Sequence, residues 1–144
     1  MSNASTDAGS LTTEDREFLR CPLYGFLSMA GGPVPAQPRP VWFEVTDNGL
    51  IQLFSLSGSP KVRQAHRDPR ASIVVAAPVG ERDRWVSVAG HVALESEGAA
   101  ELATRLAARY WDLGDASRAG DLAGMLAADL VRLVLHPESV RRGP

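Results

Sequence analysis

Along most of the chain, apolar residues alternate with polar ones or form short apolar runs, and both patterns are typical of β-strands. Six segments rich in β-branched or aromatic residues have this character: 23–30, 41–46, 50–55, 71–77, 85–95 and 130–135. Segment 71–77 is apolar throughout, which predicts a strand buried on both faces. The residues Asp47-Asn48-Gly49 predict a hairpin between the second and third strands. We therefore expect a mainly β protein whose six antiparallel strands close into a barrel.

Helices are predicted on either side of these strands. Thr12 or Thr13 can cap a short helix that Pro22 ends. Residues 57–66 predict a loop that enters a short helix, and the apolar spacing of residues 98–113 and 119–128 predicts two more. Gly90 lies inside the fifth strand, where a glycine marks a bulge or the close approach of a ligand.

The chain of 144 residues has room for one domain with its own core. Its 44% hydrophobic and 22% charged residues are ordinary values for a globular protein. Residues 1–11 predict a disordered leader or tag remnant, 12–137 the domain, and 138–144 a short basic tail.

Charge and composition argue against several functional classes. A net charge of −2 is unlike that of a nucleic-acid-binding protein. No apolar run reaches the length of a membrane helix, and the polar N-terminus lacks the plan of a secretory signal. Cys21, the only cysteine, allows no internal disulfide and is predicted to be a small buried residue. We expect a cytoplasmic protein.

The sequence predicts neither a metal site nor a catalytic acid or base. His66, His91 and His136 do not have the spacing of metal ligands. No nucleophile elbow or pair of carboxylates suggests hydrolysis.

The strongest chemical signal is segment 54–61, where a predicted strand ends in hydroxyl residues, a glycine and Lys61, the only lysine among 15 basic residues. The free backbone N–H groups at a helix start favour an anion. The candidate ligands there are Ser55, Ser57, Gly58, Ser59, Lys61 and Arg63. The segment predicts a phosphate site, although the same residue types also form ordinary helix caps.

In order and spacing, blocks 39–44, 54–61, 68–72 and 84–90 resemble the pyridoxamine 5′-phosphate oxidase-like family over residues 11–137. The resemblance implies a six-stranded antiparallel split β-barrel of the FMN-binding type. It also implies an oxidoreductase that transfers hydride to or from a small molecule, as a homodimer with its cofactor sites at the subunit interface. Gly58-Ser59-Pro60-Lys61 further resembles the Gly-Ser-x-Lys step of deazaflavin-dependent reductases, so an 8-hydroxy-5-deazaflavin coenzyme is the alternative cofactor.

The resemblance also implies roles for particular residues. The main chain from Arg39 through Pro40, Val41 and Trp42 to Phe43 would lie along the ring, and Phe54 and Ser55 would touch the ring or ribityl chain. Ser59 and Lys61 would hold the phosphate. Trp85 and Ser87 would reach the cofactor from the second subunit.

Three departures from the family pattern argue against vitamin B6 oxidation. Pro60 stands where the oxidase has an arginine on the phosphate, and Glu44 stands where it has a lysine near its substrate. The oxidase's C-terminal tryptophan and arginine have no counterpart after Pro137. A non-catalytic flavin-binding module, or one that has lost its cofactor, is the second alternative.

Overall fold

The computed structural model describes residues 9–144, so most of the predicted leader lies outside the described residues. Within that range the helices are α1 (Thr13–Leu19), α2 (Pro60–Arg67), α3 (Ala99–Tyr110) and α4 (Ala116–Leu126). The strands are β1 (Gly25–Met29), β2 (Arg39–Val41), β3 (Glu44–Val45), β4 (Ile51–Leu56), β5 (Arg70–Ala76), β6 (Trp85–Glu95) and β7 (Leu130–Gly143).

The strands form one antiparallel sheet in the order β2-β1-β5-β6-β7-β4-β3, which confirms the mainly β, antiparallel prediction. β2 and β3 lie at opposite edges of this sheet, although only Trp42 and Phe43 separate them in the chain. The sheet therefore curls until its edges approach one another. The predicted strand at 41–46 is two strands, so the sheet has seven strands rather than six. At these two residues the chain leaves β2, which pairs with β1, and enters β3, which pairs with β4.

The short-range turn predictions agree with the structure. The β3–β4 hairpin forms as Asp47-Asn48-Gly49 predicts, with Glu44 opposite Gln52 and Gly49 at a φ of 84°. That φ is in the left-handed region that glycine adopts without strain.

The core lies inside the curled sheet. Phe43, Ile51, Ile73 and Leu133 are at most 1% exposed. Within a single chain β5 is fully buried on one face only, so one subunit alone does not provide the two buried faces that the sequence predicts. Its Ala71, Ile73 and Val75 point into the core, whereas Ser72 and Val74 are half-buried on the outward face. No helix in the part of the chain that the structure describes covers the outward face of β5, and an apolar run alone does not reveal this.

β7 is longer than the sequence predicts and includes most of the residues assigned to a tail. It pairs with β6 as far as Gly143, which lies opposite Trp85. Arg142 on this extension donates to the Asp15 carboxylate on α1, with Nη2 2.6 Å from Oδ2. Leu11, assigned to the leader, is only 5% exposed. Both ends of the described range therefore belong to the packed domain.

Cys21 is exposed, so the prediction that it is buried is wrong. The residue follows the C-terminus of α1, where its backbone N–H donates to the Phe18 carbonyl at 3.1 Å. This turn leaves the thiol on the surface. No helix within residues 9–144 combines the length and apolar character needed to span a membrane.

Gly90 forms the predicted bulge, because the register between β6 and β7 shifts between Ala89 and Gly90. A Cβ at this position would lie 1.9 Å from the His136 carbonyl oxygen. The neighbouring strand therefore passes too close for any side chain.

We expect Gly90→Ala to lower the free energy of unfolding by about 1–3 kcal/mol, because β7 must move away to make room. Urea denaturation measures the change. Gly120→Ala on α4 is the matched control, since a Cβ there meets nothing within 4 Å. The control is expected to be neutral or stabilising by up to about 1 kcal/mol. Equal stability of Gly90→Ala and the unmodified protein would contradict the close approach.

Candidate functional site

A mainly apolar cavity of about 480 Å³ opens beside β2. It is lined by Tyr24, Pro40, Val41, Trp42, Phe54, Lys61, Trp111 and Met125. These residues come from the edge strand β2 and the segments beside it, from β4 near the opposite edge, from the start of α2, and from α4 and the turn before it. Closure of the sheet is therefore what brings the lining together.

Aromatic rings form one wall of the cavity. Trp42 stacks on Tyr110 with ring centroids 5.2 Å apart and an interplanar angle of 4°. Trp111 and Trp42 form a T-shaped contact at 88° with centroids 4.7 Å apart, and Tyr24 stacks on the Tyr110 ring at 5.9 Å. The Tyr110 hydroxyl donates to the Leu23 carbonyl at 2.6 Å, which fixes this ring and those against it. A rigid aromatic surface of this kind suits a flat ring system.

Lys61 lies where this cavity meets a smaller pocket of about 140 Å³. The smaller pocket also contains Arg39, Gln37 and Gln64. Partial burial lowers the pKa of the Lys61 ammonium, and the positive charge of Arg39 lowers it further. Neither cation has an ion-pair partner within residues 9–144. A bound anion would remove their mutual repulsion.

The start of α2 adds uncharged donors to this end of the site. Ser59 is the N-cap, and its hydroxyl oxygen accepts from the backbone N–H of Val62 at 3.4 Å and from the Ser55 hydroxyl at 2.7 Å. The backbone N–H groups of Gly58 and Lys61 have no protein acceptor within the described residues. Ser55 and Ser59 therefore lie together beside the free N–H groups of the helix start, as predicted.

Two candidate phosphate ligands are engaged elsewhere. The Ser57 hydroxyl donates to the Asp129 carboxylate at 2.9 Å. The Arg63 guanidinium donates to the Gly58 carbonyl at 2.5 Å and is exposed. Neither side chain lines the two cavities around Lys61. The charge that Pro60 lacks is therefore not replaced by Arg63 in this structure.

Glu44 does not face the cavity as a free carboxylate. Arg105 on α3 binds it with two nitrogens, at 2.8 Å for Nη2 and 3.2 Å for Nε, and Gln52 donates to it at 2.7 Å. Burial raises the pKa of this carboxyl, but the hydrogen bonds from Arg105 and Gln52 outweigh burial and hold the pKa below its ordinary value. The negative charge is neutralised by an ion pair inside the protein.

The remaining predicted residues differ in whether they line the two cavities. Arg39, Pro40, Val41, Trp42 and Phe54 line the two cavities, whereas the Phe43 side chain is fully buried in the core. Trp85 and Ser87 lie on the outward face of β6, away from the cavities of their own chain. A Cβ on Gly143 would lie 2.0 Å from Trp85 Nε1, so the indole covers this glycine.

Sequence reasoning missed Tyr24, Trp111 and Met125 as cavity residues. Trp111 follows a predicted helix, where a tryptophan is expected to serve packing or a dimer surface, and the structure places it against Trp42 with Arg118 4.6 Å from its ring centroid. The sequence feature that could have indicated Trp111 as a cavity residue is the Arg109-Tyr110-Trp111 run at the predicted end of a helix. Tyr24 and Met125 lie about a hundred positions apart, and no pattern along the chain connects them.

The lining contains hydrogen-bond donors and no carboxylate. Tyr24 Oη, the indole nitrogens of Trp42 and Trp111, and Lys61 Nζ have no hydrogen-bond partner within residues 9–144. None of these atoms is completely buried. A flat ring with carbonyl oxygens and a phosphate-bearing side chain fits this donor set, so the residues suit a flavin or deazaflavin. No group of three metal-ligating side chains occurs within the described residues.

Comparison with known proteins finds similarity only at the level of structure. No family model and no curated protein matches the chain. An F420 reductase structure is 22% identical, with a TM-score of 0.68 over 91% of this chain and 98% of that one. An FAD-binding protein from Mesorhizobium loti is 19% identical, with a TM-score of 0.61 over 92% and 94%.

A third structure is named as a candidate pyridoxamine 5′-phosphate oxidase from Lactobacillus delbrueckii. It is 15% identical, with a TM-score of 0.60 over 94% of this chain and 97% of that one. Identities this low bear on the fold and leave the activity to the site itself. The chain therefore has the pyridoxamine 5′-phosphate oxidase-like split-barrel fold, which the deazaflavin reductase branch shares.

Proposed function

We propose that this protein is an oxidoreductase that binds a flavin-type cofactor, FMN or its 8-hydroxy-5-deazaflavin counterpart, with the ring in the aromatic cavity and the phosphate at Lys61. The observation that carries the proposal is the junction at Lys61. Lys61 and Arg39, which have no counter-ion within residues 9–144, lie there between the aromatic cavity and the free N–H groups at the start of α2. Such a cofactor, when bound, supplies hydride transfer.

The residues of this chain bind and orient the cofactor and shield it from water. Lys61, Arg39, Ser59 and the N–H groups of Gly58 and Lys61 hold the phosphate. The fixed ring of Trp42 supports one side of the cofactor ring. Met125 on α4 and Trp111 limit the access of water to the cofactor ring from the other side of the cavity. We assign no side chain of the lining as a catalytic acid or base, and we propose a small-molecule substrate that enters the open side of the cavity.

Titration of purified protein with each cofactor, followed by fluorescence, tests the proposal. We expect saturable binding of at least one of them with a Kd of 10 μM or below, of the order seen for specific small ligands, corresponding to about −7 kcal/mol. Absence of binding to both would overturn the proposal and favour a scaffold that has lost its cofactor. Binding without oxidation or reduction of any added partner would favour a carrier or sensor.

We further propose that the protein is a homodimer in which the outward face of the sheet meets a second copy. Small or apolar residues without charge occupy neighbouring positions on this face: Phe26, Ser28, Ser72, Val74, Ser87 and Ala89. Phe26 is 43% exposed and lies opposite Val74. Trp85 shares this face, so in the proposed dimer its indole would face the second subunit.

We expect Val74→Arg to raise the dissociation constant of the dimer at least tenfold, because burying an unpaired charge on a flat apolar surface is costly. Light scattering coupled to gel filtration measures the mass across a dilution series. Val79→Arg is the matched control, since Val79 is fully exposed in the loop after β5 and its replacement should leave the dimer intact. A monomeric unmodified protein would contradict the assignment.

A further inference from the structure

Arg109, in the last turn of α3, binds the C-terminus of α1. Its guanidinium donates to three consecutive backbone carbonyls, those of Leu19 at 2.9 Å, Arg20 at 2.6 Å and Cys21 at 2.7 Å. Carbonyl groups at the end of a helix have no partners within the helix, and positive charge is favourable beside them. Arg109 therefore ties the end of α3 to the end of α1, shortly before the chain enters β1.

The same guanidinium lies against aromatic rings behind the cavity. Its Cζ is 5.3 Å from the centroid of the Phe43 ring and 5.4 Å from that of Tyr110, distances at which a cation is attracted to a ring face. Arg109 Nε is completely buried and has no hydrogen-bond partner in the part of the chain that the structure describes. No carboxylate in that part forms an ion pair with Arg109. Backbone carbonyls and aromatic rings thus hold this cation in place together.

Tyr110 connects this guanidinium to the cavity. The Tyr110 ring does not line the cavity, but it stacks on Trp42 and Tyr24, which do. Its hydroxyl donates to the Leu23 carbonyl at 2.6 Å and accepts from the backbone N–H of Phe43 at 3.4 Å. A displacement of Tyr110 would therefore move two of the aromatic rings that face a bound ligand.

Resting on the function proposed above, we propose that Arg109 is a positioning residue of the cofactor site. It lines neither cavity and acts through Tyr110 and Phe43, which keep the Trp42 ring at a fixed angle beside the cofactor ring. A side chain that is already fixed before binding loses little conformational entropy when the ligand arrives. The three consecutive residues at the end of α3 then have successive roles: Arg109 ties the helix to α1, Tyr110 supports the rings, and Trp111 lines the cavity.

The test compares Arg109→Gln with the unmodified full-length protein. We expect whichever of FMN and the 8-hydroxy-5-deazaflavin coenzyme binds the unmodified protein to bind the variant about tenfold more weakly, because mobile rings must be ordered on binding. The near-ultraviolet circular dichroism of the free variant should weaken while the far-ultraviolet spectrum is retained, since the near-ultraviolet signal reports fixed aromatic packing. An unchanged affinity or an unchanged near-ultraviolet signal overturns the positioning role while the proposed function stands. Failure of both cofactors to bind the unmodified protein overturns both.

Arg109→Lys separates the position of the rings from the charge of the side chain. Lysine keeps the positive charge and can donate to a carbonyl, but its ammonium lacks the planar fork and the flat face of a guanidinium. We expect this variant to bind the cofactor at least about threefold more weakly than the unmodified protein. Full affinity of Arg109→Lys would show that charge alone matters and would overturn the positioning role. The same measurement decides the question if Arg109→Gln does not fold.

Gly90→Ala is the control for a general loss of stability. Its expected destabilisation arises at the bulge between β6 and β7, and Gly90 lines neither cavity. We expect this variant to change the cofactor affinity less than about threefold and to keep the near-ultraviolet signal, as is usual for sites without shared contacts. If Gly90→Ala weakens cofactor binding as much as Arg109→Gln does, reduced stability explains both effects and the positioning role is wrong.

Discussion

Replacing Lys61 with alanine is expected to weaken cofactor binding by about 10- to 150-fold, since a hydrogen bond to a charged group contributes roughly 1.5–3 kcal/mol. Lys61 is half-buried between the two cavities and has no counter-ion within residues 9–144. Its burial and the nearby Arg39 lower the pKa of its ammonium, so the unliganded site is destabilised by its own charge. A phosphate removes that repulsion as it binds, and alanine cannot supply the compensating charge.

The controls for this variant come from the same helix. Arg67→Ala removes one positive charge from the last turn of α2, where the guanidinium donates to the Gly31 carbonyl at 2.9 Å. We expect this change to alter the cofactor affinity by less than threefold, because it acts only through long-range charge. Lys61→Arg keeps the charge in a larger, planar group and should retain part of the affinity. If Lys61→Ala binds the cofactor as tightly as the unmodified protein does, Lys61 does not belong to the cofactor site.

Features encoded within a few consecutive residues could be predicted from the sequence. The turn at Asp47-Asn48-Gly49, the bulge at Gly90 and the Ser59 cap with Lys61 behind it all form as expected. Each depends on the conformational limits of one or two residues, and these limits act whatever the rest of the chain does.

Features that depend on closure of the sheet could not be predicted in the same way. Segment 41–46 has a continuous strand pattern, yet Trp42 and Phe43 cross between opposite edges of the sheet. The cavity wall joins Tyr24, Trp111 and Met125, which become neighbours only after the sheet has curled and α3 and α4 have packed beside it. Side-chain direction was also beyond the sequence pattern, as the exposed thiol of Cys21 and the outward side chain of Val74 show.

The pairing of Arg142 with Asp15 had no sequence signal, because 127 positions separate the two residues. Asp15 is 1% exposed and takes part in the capping box of α1 with Thr12. Arg142 lies on the extension of β7 that the sequence assigns to a tail. The ion pair therefore ties the first helix to the last strand.

Asp15→Ala is expected to lower the free energy of unfolding by about 3 kcal/mol, since it removes the charge-assisted hydrogen bonds from Arg142 together with the capping-box bonds with Thr12. Thermal unfolding should show the loss as a fall in Tm of roughly 6–12 °C for a chain of this size. Glu14→Ala, one residue earlier on the exposed face of α1, is the control and should change Tm by no more than about 2 °C, the usual range of a surface substitution.

The same ion pair predicts how stability depends on pH. Burial raises the pKa of the Asp15 carboxyl, but the hydrogen bonds from Arg142 and Thr12 outweigh burial, so the folded-state pKa lies below the ordinary value of 3.8. A group whose pKa is depressed by folding contributes stability that is complete above its unfolded pKa and is lost as the pH falls through its folded pKa. The stability difference between the unmodified protein and Asp15→Ala should therefore be constant from neutral pH down to about 5 and shrink as the pH falls below about 4. Urea unfolding of both proteins at a series of pH values measures that difference, and a difference that grows on acidification would contradict the ion pair.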